Sequence, residues 1–278
     1  MPDVAAPRRC DVAGLAVAEW GDPRAPAVLA LHGLTSTSQQ FNGLAALRPD
    51  LRVVAPDLPG RGGSVRAAAA PGLAGHVAAV HEVVDALGLD DVALVGHSMG
   101  AFLAPLVAAD LGDRVRRVVL VDGGVAPARS VLLKRPMVRT LFTVQLRLVD
   151  RRWPSPQAHV DKVEGRAITA RPELGPALLE WAEYALDDSG RPRLDARRLT
   201  ADAVDALAGA PTLPALAGSD VPVHLVAAAR GADDGKGEFL SDAAIALAQE
   251  KVERLTWERA DANHVTVLFD PRVGTALG

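Results

Sequence analysis

The chain has little of several features that would assign it to a specialised class of protein. Cys10 is the only cysteine among 278 residues, so no intrachain disulfide can form. The first nine residues lack the apolar core of a secretory signal, and no uninterrupted apolar run is as long as a membrane-spanning helix. A formal net charge of −4 argues against a nucleic-acid partner. These absences predict a cytoplasmic protein that binds neither nucleic acid nor a membrane.

Aromatic residues are also scarce, at 4% of the chain, whereas hydrophobic residues make up 49% and charged residues 23%. This balance is ordinary for a globular protein, but with few large rings the core must consist mainly of Val, Leu and Ala. A chain of 278 residues accommodates one large domain or one domain with an insertion. Nothing in the composition distinguishes a monomer from a homodimer.

The most informative stretch is Gly96-His97-Ser98-Met99-Gly100, which follows apolar residues of strand character and precedes an apolar helical run over 101–111. The pattern G-x-S-x-G between a strand and a helix predicts a sharp turn that exposes the serine hydroxyl. In such a turn the residues two before and two after the serine approach each other closely. Side chains would collide there, which explains Gly96 and Gly100.

A second informative site follows the continuous apolar run over residues 27–31, which is typical of a buried parallel strand. His32-Gly33-Leu34 comes directly after it. We expect the backbone N–H groups of Leu34 and Met99 to point into one cavity and form an oxyanion hole. His32 is interpreted as a structural histidine that bonds nearby backbone. Asp57, in the loop after the next strand, is interpreted as a brace for that loop.

Strands alternate with helices as far as residue 124, and strands resume at about residue 219. This order predicts an α/β fold in which a mostly parallel, doubly wound sheet is formed by residues 1–124 and 219–278. The intervening residues 125–218 are expected to form an inserted helical cap.

Within the expected cap, Trp153, Trp181 and Tyr184 are equally compatible with a substrate pocket and with packing of the cap on the core. Residues 129–152 are rich in arginine and lysine, which indicates a solvated basic face or, alternatively, recognition of an anionic substrate group. His76 lies off the apolar stripe of a predicted helix before the cap and is therefore expected to face solvent.

A serine hydroxyl is a poor nucleophile until a base removes its proton, and that base must be oriented by a carboxylate. The chain supplies these groups in the order Ser98, an acid near residue 234, and His264. Each follows the carboxyl end of a strand, where active sites gather in sheets of this kind. The constellation predicts nucleophilic catalysis.

With these motifs the chain resembles the α/β-hydrolase fold enzymes of the large esterase and lipase-like superfamily. The resemblance covers nearly the whole chain except the cap. It is carried by His32-Gly33, the Asp57-x-x-Gly60-x-Gly62-x-Ser64 loop, the Gly96–Gly100 turn, Gly231-x-x-Asp234 and the late histidine His264.

The resemblance implies that Ser98 is the nucleophile, His264 the general base and Asp234 the carboxylate that orients it, with Asp233 and Asp122 left open as alternative acids. It also implies backbone N–H groups of Leu34 and Met99 as oxyanion donors, and no metal or cofactor.

The expected activity is hydrolysis of a small-molecule carboxylic ester or lactone through an acyl-enzyme. Dehalogenases and epoxide hydrolases of this fold carry aspartate where this chain has Ser98, so the resemblance excludes them. Thioesterase, amidase and C–C bond hydrolase activities use the same triad and stay open. A receptor-like member that binds a small molecule with slow turnover is a further alternative.

Overall fold

A computed structural model describes residues 6–125, 135–149, 151–163, 169, 171–208, 211–231 and 237–278. In this part of the chain eight strands form one sheet in the order β1-β2-β4-β3-β5-β6-β7-β8. The strands are β1 Arg8–Val12, β2 Leu15–Trp20, β3 Ala27–Leu31, β4 Arg52–Pro56, β5 Val92–His97, β6 Val115–Val121, β7 Val223–Arg230 and β8 Leu255–Asn263.

The α-helices of the same residues are α1 Asn42–Leu47, α2 Leu73–Ala86, α3 Met99–Leu111, α4 Arg135–Val149, α5 Pro156–Val163, α6 Gly175–Ala185, α7 Ala196–Ala208, α8 Thr212–Ala217, α9 Asp242–Gln249 and α10 Pro271–Ala276. Short 3₁₀ helices cover Ser38–Phe41, Gly62–Ser64, Gly112–Arg114, Pro172–Leu174 and Thr266–Phe269.

Strands β3 to β8 run parallel to one another, whereas β2 pairs antiparallel with both β1 and β4. The central strands are continuous apolar runs because helices cover both faces of the sheet. Val28 to Leu31 of β3 and Val92 to Val95 of β5, for example, are fully buried. The predicted mostly parallel, doubly wound α/β sheet is confirmed, and the carboxyl ends of β3, β5, β6, β7 and β8 meet at one edge.

Between β6 and β7 the described residues fold into helices α4 to α8, which we call the helical insertion (described residues within 135–217). Residues 126–134, 150, 164–168, 170, 209 and 210 of the expected cap lie outside the described part. Helix α7 packs against both α3 and α4 and so joins the insertion to the sheet layer. No helix in the described ranges is long and apolar enough to cross a membrane.

Asp57 braces the loop after β4, which agrees with the interpretation of this residue from the sequence. The Ser38 N–H donates to Asp57 Oδ1 at 2.7 Å and the Gly63 N–H donates to Oδ2 at 2.8 Å. The Tyr184 hydroxyl, from α6 of the insertion, donates to the same Oδ2. The fully buried Asp57 carboxylate therefore fixes two loops and one helix to each other.

A buried ionic cluster forms a second junction between the insertion and the core. The Asp202 carboxylate of α7 accepts hydrogen bonds from the Arg61 guanidinium and from His76 Nε2, the latter at 2.9 Å. All three side chains are completely buried. Burial alone would raise the pKa of Asp202, but the contacts to His76 and Arg61 outweigh it and lower the pKa below its ordinary value.

The prediction that His76 faces solvent is wrong, because α7 of the insertion covers that side of α2. Arg61 extends the cluster toward the carboxyl edge of the sheet. Its Nε donates to the Leu34 carbonyl at 3.0 Å, and another guanidinium nitrogen lies 3.4 Å from Met99 Sδ. One buried arginine thus contacts the insertion and both residues expected to provide oxyanion donors.

Candidate active site

Ser98 occupies the sharp turn between β5 and α3 with φ 54° and ψ −116°. L-residues other than Gly rarely adopt positive φ, so the turn is strained and its surroundings must hold it. A Cβ placed on Gly96 would lie 2.2 Å from the Gly100 carbonyl oxygen, and one placed on Gly100 would lie 1.9 Å from the Leu31 carbonyl oxygen. The close approach expected from the sequence is confirmed, and glycine is required at both positions.

Backbone hydrogen bonds hold the tip of this turn against its neighbours. The Ser98 N–H donates to the Val121 carbonyl at 3.0 Å, and the Ser98 carbonyl accepts from the Ala101 N–H at 3.0 Å. Met99 is the first residue of α3, so its N–H has no acceptor within the helix and lies at the positive end of the helix dipole. Ser98 is therefore fixed beside the carboxyl end of β6.

Asp122 follows β6 and its side chain is completely buried. Its Oδ1 accepts the Ala228 N–H at 3.0 Å, and its Oδ2 lies 2.6 Å from Nδ1 of His264. Because an ionised carboxylate only accepts hydrogen bonds, this contact places the imidazole proton on Nδ1. The Nε2 of His264 is then the nitrogen that can accept a proton.

The turn that carries His264 is closed by the side chains on either side of it. The Asn263 Oδ1 accepts from the Val265 N–H at 3.0 Å and from the Thr266 N–H at 2.7 Å, while the Thr266 hydroxyl accepts the Asn263 N–H at 3.0 Å. Such side-chain bonds to nearby backbone replace the ladder bonds that end with β8. The imidazole is thereby held at the edge of the sheet with 17% of its side chain exposed.

The acid predicted from sequence, Asp234, lies outside the described residues, and so does the adjacent alternative Asp233. The carboxylate that contacts the imidazole in the described part of the chain is Asp122, the third candidate. Strands β6 and β7 are neighbours in the sheet, so residues that follow either strand lie at the same edge as His264.

His97, beside Ser98, connects the turn to the histidine loop. Its Nε2–H donates to the His264 carbonyl at 2.7 Å, and the two rings are 4.8 Å apart between centroids. Burial, with a smaller contribution from His264, lowers the pKa of His97 to about 3. A neutral His97 therefore holds the backbone of His264 next to Ser98, a role that the sequence analysis did not identify.

The peptide between Gly33 and Leu34 is oriented by His32. Its Nδ1–H donates to the Gly33 carbonyl at 2.8 Å, and the Leu58 N–H donates to its Nε2 at 2.9 Å, which fixes the tautomer. In a trans peptide the N–H points opposite to the C=O, so the Leu34 N–H is directed away from His32. The structural interpretation of His32 is confirmed, and burial lowers its pKa to about 3.

The two buried histidines predict that the fold is sensitive to acid. In the unfolded chain His32 and His97 have a pKa of about 6.5, so below that pH the unfolded state binds protons that the folded state does not. Stability is then complete above pH 6.5 and decreases as the pH falls toward 3. Between pH 7 and pH 5 we expect these two rings together to lower the free energy of unfolding by about 4 kcal/mol, measured by urea denaturation.

A His97→Gln variant removes one of these two groups, so its difference in stability between pH 7 and pH 5 should be smaller by about 2 kcal/mol. Equal free energies of unfolding at pH 7 and pH 5 in the unsubstituted protein would contradict the neutral, buried state of both rings.

Ser98, His264 and Leu34 line one cavity of about 590 Å³. A volume of this size suits a small to medium-sized molecule. Much of its wall is apolar and aromatic and includes Phe102, Phe142, Trp181, Phe239, Leu268 and Phe269. Trp181 and Phe142 come from the insertion, which therefore forms part of the cavity.

No lysine or arginine is found among the cavity's described lining residues. Of the basic segment 129–152, Arg135 pairs with Asp205, Arg151 stacks on Trp153, and Arg152 donates to the Ser189 carbonyl. A solvated basic face therefore accounts for these described side chains, whereas residues 129 and 134 lie outside the described part. No group of three His, Cys, Asp or Glu side chains arranged to hold a metal ion occurs in the described ranges.

The model of the Alpha/beta hydrolase family matches residues 28–276. The match extends from β3 to α10, and the chain belongs to the alpha/beta hydrolase family. Ser98, Asp122 and His264 therefore lie at the carboxyl edge of the sheet in a member of this family.

Several curated relatives match parts of the chain, and two of them are named as hydrolases of esters or lipids, a 3-hydroxybutyrate-oligomer hydrolase and a lipase. The 3-hydroxybutyrate-oligomer hydrolase of Cupriavidus necator is 38% identical over 122 residues, which are 42% of this chain and 42% of that protein. Lipase LipV of Mycobacterium tuberculosis is 33% identical over 165 residues, which are 59% of this chain and 60% of that protein. The chain spans 29% to 60% of the length of the curated relatives it matches.

Among solved structures, E-2-(acetamidomethylene)succinate hydrolase superposes with a TM-score of 0.75 at 24% sequence identity, covering 97% of this chain and 96% of that chain. At this identity the likeness shows the fold alone.

Proposed function

We propose that this chain is a serine hydrolase that cleaves a carboxylic ester or lactone through a covalent acyl-enzyme. The observation that carries the proposal is the 2.6 Å contact between Asp122 Oδ2 and Nδ1 of His264, a residue that lines the same cavity as Ser98. In this proposal Ser98 is the nucleophile and His264 the general base. Asp122, in place of Asp234, is the carboxylate that orients the imidazole.

The proposed reaction begins with transfer of the Ser98 hydroxyl proton to His264 Nε2 as Oγ bonds to the carbonyl carbon. Negative charge develops on the carbonyl oxygen, and the backbone N–H groups of Leu34 and Met99 stabilise it. His264 then gives its proton to the departing alkoxide, which leaves an acyl ester on Ser98. Water adds to that ester by the same proton transfers and releases the acid and free Ser98.

The lining of the cavity favours binding of an uncharged and largely apolar substrate. Its described lining has no cation to pair with a substrate carboxylate, and Glu238 adds negative charge to the wall. Burying an unpaired anion there would cost several kcal/mol. The names of two relatives, a lipase and a 3-hydroxybutyrate-oligomer hydrolase, also support an ester as substrate. We propose that the helical insertion acts as a cap and determines the size of the acyl group.

Formation of a covalent acyl-enzyme can be tested without knowing the natural substrate. Phenyl, p-nitrophenyl and ethyl butanoate all give the same acylated Ser98, so added methanol must partition that one intermediate between methyl butanoate and butanoic acid in a constant ratio. The measurement is product analysis at fixed methanol concentration. A ratio that changes with the leaving group would exclude a common intermediate.

Rates of hydrolysis of butanoyl thioesters, butanoyl amides and diketones, compared with those of the esters, distinguish the ester hydrolase from its alternatives. We expect esters to have the highest kcat/KM of the panel. Tight binding of the esters with no measurable turnover would instead favour the receptor-like alternative.

A further inference from the structure

Arg61 is a completely buried arginine whose guanidinium contacts both the backbone near the candidate site and the helical insertion. Its Nε–H donates to the Leu34 carbonyl at 3.0 Å, and one terminal nitrogen donates to the Pro59 carbonyl at 2.8 Å and to the Asp202 carboxylate. The other terminal nitrogen lies 3.4 Å from Met99 Sδ. A buried ion pair is often no more stabilising than apolar residues of the same volume, so stability alone does not explain this set of partners.

Leu34 lies in the segment between β3 and the 3₁₀ helix that follows it, residues 32–37, which we call the oxyanion loop. No strand or helix orients the backbone of this loop, so other bonds must hold its peptides. His32 holds the peptide before the Leu34 Cα through the Gly33 carbonyl at 2.8 Å. Arg61 holds the peptide after it through the Leu34 carbonyl. Both peptides that flank this Cα are therefore fixed, and with them the direction of the Leu34 N–H.

The position of Arg61 is itself set by the helical insertion. An antiparallel backbone bridge joins Arg61 to Leu194, just before α7. Next to this bridge the Gly62 N–H donates to the Arg193 carbonyl at 2.9 Å. Asp202, on α7 itself, binds the guanidinium and is completely buried. The backbone and the side chain of Arg61 are thus both attached to the insertion.

Helix α7 also forms part of the wall of the cavity that contains Ser98. Ala203, Ala206 and Leu207 of this helix line the cavity, and Asp202 precedes the first of them. One helix therefore borders the cavity and fixes the arginine that holds the Leu34 peptide.

We propose that Arg61 is a positioning residue that sets the direction of the Leu34 N–H in the proposed oxyanion hole and makes that direction depend on the docking of α7. The inference rests on the proposed function and adds a dependence of the catalytic geometry on the insertion. Arg61 is not among the cavity's described lining residues, so it acts through the Leu34 peptide and the Met99 side chain. A misplacement of about 1 Å in such a site can cost about 10²-fold in rate.

Arg61→Lys separates this positioning role from the charge of the side chain. Lysine keeps the positive charge that pairs with Asp202, but its ammonium is a single point, whereas the guanidinium bonds Asp202 and Leu34 through different nitrogens. His76→Gln is the matched control. His76 is completely buried and bonds the same Asp202 oxygen at 2.9 Å, but none of its described contacts reaches the oxyanion loop.

The kinetic test compares ethyl butanoate with O-ethyl thionobutanoate, in which sulfur replaces the carbonyl oxygen. Sulfur is a weak hydrogen-bond acceptor, so the thionoester needs the same attack by Ser98 but gains little from the oxyanion donors. We expect Arg61→Lys to lower kcat for the ester about 10- to 100-fold with KM within about threefold, and kcat for the thionoester by less than about threefold. His76→Gln should keep the ratio of the two kcat values.

Hydrogen exchange of the backbone tests the positioning without any turnover. The Ser36 N–H donates to the Gly33 carbonyl at 3.3 Å, so its exchange reports opening of the oxyanion loop. In a peptide that spans this loop we expect exchange about tenfold faster in Arg61→Lys than in the unsubstituted protein, and unchanged in His76→Gln.

A double variant, Arg61→Met with Asp202→Asn, tests the same contact if Arg61→Lys does not fold. It removes both charges together, so neither is left buried without its partner. The asparagine keeps an oxygen for the Gly72 N–H, which Asp202 Oδ1 accepts at 2.8 Å. We expect this variant to show the same selective loss of ester turnover and the same faster exchange as Arg61→Lys.

The outcomes distinguish this inference from the proposed function. Ester turnover by the unsubstituted protein with an unchanged kcat in the Arg61 variants, or with equal losses for ester and thionoester, would overturn the positioning role while the hydrolase stands. Faster exchange in the Arg61 variants of a protein that hydrolyses neither substrate would support attachment of the loop by Arg61 and contradict the hydrolase. Equally fast exchange in His76→Gln would overturn the positioning role, because a general loosening of the buried cluster would then explain both variants.

Discussion

Replacing Ser98 with alanine is expected to reduce kcat/KM for p-nitrophenyl butanoate by about 10⁴-fold or more. Alanine has no hydroxyl to attack the carbonyl carbon, and the oxyanion donors and the cavity can supply only a small part of the rate. The substitution removes one oxygen at a position where the backbone is already held at φ 54°, so the fold should change little. Initial rates, with the unfolding midpoint as a check on folding, measure the effect.

Ser36 offers a matched control for this substitution. It is another serine in the wall of the same cavity, and no step of the proposed reaction uses its hydroxyl. We expect Ser36→Ala to retain activity within about threefold of the unsubstituted protein, as for most substitutions away from a functional group. A Ser98→Ala variant with more than a few per cent of the original activity would exclude Ser98 as the nucleophile.

Replacing Asp122 with asparagine is expected to lower kcat by about 10²- to 10⁴-fold. An asparagine can keep an oxygen on the Ala228 N–H and then faces His264 with its NH₂ group. The donor would hold Nδ1 of His264 in its unprotonated form, so that Nε2 carries the proton and cannot accept one from Ser98. The side chain is completely buried, so water cannot readily replace the lost contact.

Asp234→Asn is the matched comparison, because Asp234 is the acid that the family resemblance implies. In the proposed arrangement Asp122 alone orients the imidazole, so this substitution should have less than about a threefold effect on kcat. A large loss in Asp234→Asn together with a small loss in Asp122→Asn would return the role to Asp234. Comparable losses in both variants would indicate that each carboxylate supports His264.

The difference between these two carboxylates shows which features a sequence predicts well. The turn at Ser98 depends on residues within a few positions of each other. The steric reasons for Gly96 and Gly100 are therefore visible in the sequence, and the structure places the expected collisions there. The partner of His264 depends instead on which of two neighbouring strand ends presents its carboxylate, and residue spacing contains no such information.

The insertion explains most of what the sequence did not predict. The sequence of α2 shows which of its residues form an apolar stripe, but not which distant residues pack on its other faces. Asp202, which bonds His76, is more than a hundred residues away in the chain.

The most direct test of a reactive Ser98 is to treat the protein with a serine-directed alkyl p-nitrophenyl phosphonate and to locate the label by peptide mass spectrometry. We expect one phosphonyl group per chain on Ser98, rapid labelling of the unsubstituted protein, and labelling slowed at least about 100-fold in Asp122→Asn. A label on another residue, or an unlabelled protein after prolonged exposure, would contradict a reactive Ser98 activated by His264 and Asp122.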